Sequence, residues 1–246
     1  MSEKVLSGKV AVVTGGSRGI GAATARRLAR LGAAVVITYV RQAEKAKAVL
    51  DELRAEGVRA EAVQADQADR AHVTAMVDAV VQQFGRIDIL VNSAGIFLPG
   101  ELSTADRDAQ TAVNVTGVAD TTYLALKHMS DGGRIVTLSS ALGTRTGTPG
   151  VADYAATKAA VSAYTRAWAN DVAPRRITVN VIECGLIDTD MAVPPDSDLG
   201  RVFVQTIPLR RYASADEVGA AVAFLAGPDA AYITGSTLRV DGGALA

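Results

Sequence analysis

The run Thr14-Gly15-Gly16-Ser17-Arg18-Gly19-Ile20-Gly21 limits what this chain can fold into more than any other stretch. It follows the apolar Val10-Ala11-Val12-Val13 and precedes a helix-like run over residues 22–31. Strand, glycine turn and helix, in that order, form the context in which a glycine-rich turn binds a dinucleotide. Glycines let the backbone turn sharply and let a pyrophosphate come close. The helix that follows aims its free N–H groups and positive dipole end at the phosphates. Gly15, Ser17, Arg18, Gly19, Ile20 and Gly21 are therefore candidate cofactor-binding residues. The spacing is G-x-x-x-G-x-G rather than G-x-G-x-x-G, so the glycines alone do not separate a phosphate cradle from a plain turn. The flanking strand and helix favour the cradle.

Apolar runs alternate with longer amphipathic or alanine-rich segments along the rest of the chain. Strands are expected over residues 9–14, 34–39, 58–64, 87–91, 134–139, 177–183 and 237–240, and helices over 20–31, 42–56, 69–85, 107–129, 152–173 and 214–226. Runs such as Val35-Val36-Ile37 and Val181-Ile182 are continuous rather than alternating, which suits strands buried on both faces. The expected fold is a single-domain α/β doubly wound (Rossmann) parallel sheet with helices on both faces. Ligands in such sheets bind beyond the carboxyl ends of the strands. Residues 188–212, with Pro194, Pro195, Gly200 and Pro208, fit neither period and read as a substrate lid.

Bulk properties narrow the partners. A length of 246 residues with 49% apolar residues supports one large core, and a net charge of −1 gives no reason to expect nucleic acid or an anionic membrane. The single cysteine, Cys184, excludes an internal disulfide. With no apolar run long enough to span a bilayer and no signal-like start, a cytoplasmic location is expected. Two histidines, His72 and His128, make a zinc site of the usual ligands improbable, so no metal is expected.

Folds that bind NAD usually place an acidic residue at the end of the second strand, about 20 residues beyond the glycines. Here that strand end reads Thr38-Tyr39-Val40-Arg41, and the first acid is Glu44, already in the next helix. Arg18 and Arg41 would flank a ribose 2′-phosphate, and a guanidinium contacts phosphate through paired donors. The cofactor expected is NADP(H) rather than NAD(H).

Tyr154-Ala155-Ala156-Thr157-Lys158 opens a long helix, and a spacing of four puts Tyr154 and Lys158 on one face. A free phenol, with a pKa of about 10, is a poor acid–base group near neutrality; a neighbouring ammonium is expected to lower it. Ser139-Ser140 ends a strand upstream, Asn92-Ser93-Ala94-Gly95 ends another, and Asn114 lies between them. With these residues in this order the chain resembles the short-chain dehydrogenase/reductase family over essentially its whole length. The family's T-G-x-x-x-G-x-G matches residues 14–21, its N-N-A-G matches residues 92–95 with Ser93 in the second place, and its C-terminal T-G-x-x-x-x-V-D-G-G matches residues 234–243. The resemblance implies a catalytic set of Asn114, Ser140, Tyr154 and Lys158. Tyr154 would exchange a proton with the carbonyl oxygen and Ser140 would hold that oxygen. Lys158 would tune Tyr154 and bind the nicotinamide ribose, and Asn114 would hold a water relaying protons. Further cofactor contacts are implied at Asp66, Asn92, Ala94, Gly95, Gly185, Ile187 and Thr189.

Within the family the chain looks most like bacterial 3-oxoacyl-acyl-carrier-protein reductases, and two departures qualify that likeness. Cys184 replaces the usual proline beside the nicotinamide and reads as a small packing residue rather than a reactive thiol. The basic stretch that docks the carrier protein is shortened to residues 128–133, leaving Arg175 as the only matching cation. Weaker electrostatic docking leaves a free small-molecule ketone or secondary alcohol as a competitor to a thioester substrate. The pocket is expected to be lined by Ile96, Phe97, Leu98, Ala141, Leu142 and Val151 with the lid. Two other classes stay open. Gly15-Gly16-Ser17-Arg18-Gly19 also fits the G-x-S-x-G elbow of a serine hydrolase, which needs a downstream acid and histidine; a non-catalytic dinucleotide-binding protein would share the fold. The helix after Tyr154, with Tyr164 and Trp168, carries apolar residues on more than one face, consistent with the family's homotetramers.

Overall fold

Side chains of Val10–Val13 alternate between two separate apolar clusters: Ala11 and Val13 lie in one, Val10 and Val12 in the other. This is what a strand buried on both faces requires. The computed structural model describes residues 4–246. Its elements are β1 (Val10–Val13), α1 (Gly19–Arg30), β2 (Ala34–Tyr39), α2 (Ala43–Ala55), β3 (Ala60–Gln64), α3 (Arg70–Phe84), β4 (Ile87–Asn92), α4 (Thr104–Thr111), a π-helical turn (Ala112–Thr116), α5 (Gly117–Leu126), β5 (Met129–Ser140), α6 (Ala152–Asp171), β6 (Thr178–Cys184), β7 (Ile187–Asp188), α7 (Asp198–Thr206), β8 (Ala213–Ser214), α8 (Ala215–Ala226) and β9 (Thr237–Val240). Seven strands form one parallel sheet in the order β3-β2-β1-β4-β5-β6-β9. Leu28, Leu53 and Val222 from α1, α2 and α8 pack on one face, and Val77, Val118 and Trp168 from α3, α5 and α6 on the other. The doubly wound fold is as the alternating pattern implies.

The order of strands reverses between β1 and β4, and in open α/β sheets the ligand crevice lies beyond the carboxyl ends of the strands at such a reversal. Thr14 clasps the two strands. Its fully buried hydroxyl accepts hydrogen bonds from the N–H groups of Ser93 and Ala94, both at 3.0 Å. The first residue of the glycine turn is thereby fixed to the loop after β4.

Four local expectations need correction. The helix expected over 107–129 is broken by the π-helical turn and ends at Leu126, where β5 begins almost at once with Met129. β5 is longer than the 134–139 expected because its register shifts against β4 between Ile87 and Ile89, absorbing the Gly132-Gly133 pair; Gly132 has φ +77°. Residues 188–212 are not irregular throughout: α7 lies within them, capped by Ser197, whose Oγ accepts from Gly200 N at 3.0 Å. Short β7 and β8 pair across the base of the segment. Finally, Trp168 is 1% exposed, stacked on Tyr164 at 4.7 Å and edge-on to Tyr123 at 5.7 Å. It belongs to the protomer's own core and is no evidence for a second subunit.

Replacing Thr14 by the near-isosteric valine removes the acceptor for two N–H groups. Urea denaturation should show a loss of about 1–3 kcal/mol, the cost of stranding buried donors. An unchanged midpoint would show that the clasp does not hold the crevice.

Candidate active site

The glycine turn is built from close approaches that exclude side chains. A Cβ on Gly21 would sit 2.4 Å from the Gly15 carbonyl oxygen, and one on Gly15 (φ +66°) would sit 2.9 Å from Ala94 Cα. The backbone N–H groups of Gly15 and Gly16 are held by Thr38, at 3.1 Å to its hydroxyl and 2.9 Å to its carbonyl. The start of α1 is different. Arg18 occupies the N-cap with extended backbone and offers no side-chain cap, and the first turn carries no acid. By contrast, Asp69 caps α3, and Ser214 with Glu217 forms a capping box on α8. The first N–H groups of α1 have no side-chain acceptor, the arrangement that suits a phosphate group. Ser17, Gly19 (φ +52°) and Ile20 complete this turn, with Ile20 packed against the core.

At the carboxyl end of β2 the structure adds two residues that sequence reasoning missed. Arg18 Nη1 lies 3.3 Å from Asp190 Oδ2, and Lys45 Nζ, from the first turn of α2, lies 3.1 Å from the same oxygen. Arg41 is exposed in the bend that leads to α2. Lys45 was detectable as a cation in the first turn of the helix after β2; Asp190, distant in sequence, was not. Asp66 follows β3 at the same edge of the sheet, its Oδ1 accepting from Ala68 N at 2.9 Å.

The ends of β4 and β5 meet the start of α6 on the other side of the crevice. Strand alternation separates the two serines. Ser139 turns into the protein, donating to the Lys158 carbonyl at 2.9 Å and accepting from Ser162 at 3.2 Å. Ser140, on the opposite face, accepts from Leu142 N at 3.2 Å and sits beside the Tyr154 phenol. Lys158 is buried, its Nζ donating to the Leu138 carbonyl at 3.0 Å and lying 5.6 Å from the centroid of the Tyr154 ring. A Cβ on Gly95 would reach 3.5 Å from that Nζ, so Gly95 leaves the ammonium open from the loop after β4. The Phe97 ring packs edge-on against Tyr154 at 4.8 Å. Ser140, Tyr154, Lys158 and Gly95 are thus brought together; Ile96, Phe97, Leu98, Ala141 and Leu142 are half-buried around them, and Val151 is buried.

Asn114 sits in the π-helical turn with its side chain fully engaged. Its Oδ1 accepts from Ile96 N at 2.9 Å, and its Nδ2 donates to the Ile96 carbonyl at 2.8 Å and to Thr157 Oγ1 at 3.2 Å. The amide therefore holds the loop after β4 and has no free donor for a water. Asn92 likewise points inward, its Nδ2 donating to Thr122 and Thr137 at 3.1 and 3.3 Å, so only its backbone faces the crevice. At the end of β6, Gly185 has no room for a side chain: a Cβ would meet Asp241 Cα at 2.7 Å. Ile187 is buried in the core, while Thr189 lies against Gly19, its Cγ2 3.4 Å from where a Cβ there would be.

Electrostatics corrects one expectation. Burial pushes the Tyr154 phenol up to about 12, with the Cys184 thiol adding to the rise and the Ser140 hydroxyl pulling the other way. Burial outweighs any lowering by a neighbouring cation, and the nearest ammonium, Lys158, donates to the Leu138 carbonyl. Burial in turn brings Lys158 down to about 8. The Cys184 thiol is buried and pushed up to about 12, so it packs as a neutral group.

The hydrolase alternative fails on geometry. His72 is exposed in the first turn of α3 beside Asp69, two strands from Ser17 at the sheet edge, and His128 precedes β5 at the opposite end of the sheet. Neither can serve Ser17 as a base. Among the described residues, no group of three His, Cys, Asp or Glu could hold a metal, and no helix is long and apolar enough to cross a membrane.

Comparison with known proteins gives the family. The family model described as enoyl-(acyl carrier protein) reductase, of the short-chain dehydrogenase/reductase group, matches residues 15–244. A 3-oxoacyl-[acyl-carrier-protein] reductase of Staphylococcus aureus (strain Mu50) is 41% identical over 240 residues, covering 96% of this chain and 97% of the relative. A short-chain dehydrogenase from Burkholderia cenocepacia J2315, solved in complex with NADP, is 47% identical with a TM-score of 0.96, covering 98% of this chain and 100% of that one. A blue fluorescent protein from a metagenomic library, solved with NADPH, is 46% identical with a TM-score of 0.96 and the same coverage. This chain therefore belongs to the short-chain dehydrogenase/reductase family and is an oxidoreductase of the CH–OH/C=O class.

Proposed function

We propose that this chain is an NADPH-dependent reductase of a neutral, largely apolar ketone, running the reverse alcohol oxidation under other conditions. The observation that carries the reading is the convergence of Ser140, Tyr154 and Lys158 on one side of a crevice whose other side is an uncapped, glycine-lined helix start. NADPH would be held by Gly15, Ser17, Arg18, Gly19, Ile20, Gly21 and Arg41, by Asp66 and the backbone of Asn92, Ala94 and Gly95, and by Tyr154, Lys158, Gly185, Ile187 and Thr189. Once bound it supplies the hydride.

The chain's own residues do the rest. Tyr154 donates its phenolic proton to the substrate oxygen as negative charge develops there. Ser140 donates a second hydrogen bond to the same oxygen and fixes its position. Lys158 places a positive charge beneath the phenol. With both Nδ2 hydrogens engaged, Asn114 would hold a relay water only as an acceptor. The raised phenol stays protonated at neutral pH, which suits reduction; oxidation needs the phenolate. Residues 188–212 act as a lid that excludes water, with Leu199, Val202 and Leu209 among its exposed apolar side chains.

The docking cation left from the carrier-protein pattern is engaged inside the protomer. Arg175 donates to the Leu126 carbonyl at 2.8 Å and to the Met129 carbonyl, and pairs with Asp131 at 3.3 Å. This supports a free ketone over a carrier-bound one. The likeness to 3-oxoacyl-[acyl-carrier-protein] reductases over almost the whole chain supports a 3-oxoacyl thioester as the second reading. A homotetramer in the cytoplasm fits the family and the exposed Tyr123, Phe224 and Tyr232.

Purified protein with NADPH should reduce members of a panel of ketones, quinones and 3-oxoacyl thioesters, followed by loss of nicotinamide absorbance. No turnover with any of them, despite NADPH binding, would favour a non-catalytic role. Tyr154→Phe should lower kcat by about 10²–10⁴-fold, the usual worth of a positioned proton donor, with NADPH affinity retained. Ketone reduction should be flat below about pH 8 and fall above it, because Lys158 loses there the positive charge, 5.6 Å from the Tyr154 ring, that offsets the negative charge left on the phenol oxygen as it gives up its proton. Arg175→Ala should lower the melting temperature yet leave KM for a carrier-linked thioester unchanged; a raised KM would restore carrier docking.

A further inference from the structure

The ion pairs around Asp190 lie across the mouth of the proposed cofactor crevice. Asp190 belongs to the segment after β7. Its Oδ2 accepts from Arg18 in the glycine turn and from Lys45 in the first turn of α2. These two elements flank the carboxyl end of β2, where the adenosine ribose of a bound dinucleotide sits in this fold. One carboxylate oxygen thus occupies the place between two cations where a 2′-phosphate would be neutralised. Thr189, the preceding residue, lies against Gly19, so the strap passes over the phosphate turn as well. The side chains are half exposed, at 47% for Arg18, 54% for Lys45 and 57% for Asp190, which makes each pair weak and exchangeable. Lys45 and then Arg18 hold the Asp190 carboxyl below the usual carboxylate range, so it is a full anion at neutral pH.

We propose that Asp190 is an internal stand-in for the cofactor's 2′-phosphate: it holds Arg18 and Lys45 in the nucleotide-free protein and yields them when that phosphate arrives, freeing the lid that follows. The inference rests on the NADPH reading and deepens it. A phosphate carries about −1.5 to −2 charge and three acceptor oxygens against the single charge of a carboxylate. It can therefore take both cations, whereas the 2′-hydroxyl of NAD cannot. Asp190 then serves two ends. It keeps the two cations facing each other across the end of β2, and it makes release of residues 188–212 depend on the phosphate that marks the correct cofactor. The cost is an affinity for NADPH lower than the cations alone would give.

The test uses the full-length protein with Asp190→Asn and Asp190→Ala. Calorimetric titration should show NADPH and adenosine 2′,5′-bisphosphate binding roughly two- to tenfold tighter in both variants, as two weak exposed pairs no longer compete, with NADH and 5′-ADP unchanged. Hydrogen exchange gives a readout independent of turnover. Residues 188–212 should exchange faster in nucleotide-free Asp190→Asn than in the wild type, and adenosine 2′,5′-bisphosphate, but not 5′-ADP, should raise exchange there in the wild type. If NADPH binding is unchanged or weakened by both substitutions while the wild type still prefers NADPH to NADH, the stand-in is overturned and the cofactor reading survives. If the wild type binds adenosine 2′,5′-bisphosphate no tighter than 5′-ADP, both fall.

Discussion

The site depends on a contact that leaves no space for a side chain. The first turn of α1 is pressed against the glycine turn so closely that a methyl group at residue 21 would overlap the Gly15 carbonyl, and residue 15 is similarly closed by Ala94. The second contact comes from the loop after β4, which Thr14 ties to β1. The close approach therefore joins the helix, the turn and both strands flanking the reversal of strand order. From this follow the direction of α1, the exposure of its uncapped N–H groups and the position of Gly95 beside the Lys158 ammonium. Packing and catalysis are coupled through the backbone here, because no intervening side chain can absorb a shift.

On the other side of the crevice the decisive quantity is desolvation. Tyr154 and Lys158 are both buried, and burial acts on them in opposite directions. It holds the phenol neutral and brings the ammonium towards losing its proton. The spacing of four suggests a simple pair in which the amine acidifies the phenol. The structure shows the ammonium donating to the Leu138 carbonyl, 5.6 Å from the centroid of the Tyr154 ring. Held neutral in this way, the phenol has a proton to give, which is what the proposed reduction asks of it.

Much of this was legible in the chain because it is carried by local periodicity and by glycine. The seven strands announce themselves as apolar runs, and the phosphate turn as glycines placed between a strand and a helix. Ser140 could be preferred to Ser139 only by family likeness; the structure gives the reason, since Ser139 lies on the face that packs against α6. What could not be read is what depends on pairing across long separations. The π-helical turn at Ala112–Thr116 carries Asn114, whose side chain holds the backbone of Ile96, a contact no local pattern encodes. α7 was hidden by the prolines on either side of it, and Asp190 meets Lys45 across 145 positions. The apolar faces of Trp168 were legible but misleading, because Tyr164 and Tyr123 of the same protomer cover them.

Arg175 shows how one side chain can match a family pattern and still do different work. In the pattern it is a surface cation for an acidic partner. Here its guanidinium closes the junction between α5 and β5, satisfying the carbonyls at Leu126 and Met129 where the helix stops and the strand begins with almost no loop between. The Leu124 and Ala125 carbonyls are taken by the N–H groups of Lys127 and His128, and the planar multi-donor guanidinium takes the Leu126 carbonyl that follows. The Arg175 guanidinium is committed to this junction and to Asp131 within the chain, which is the ground on which a free ketone is proposed over a carrier-bound one.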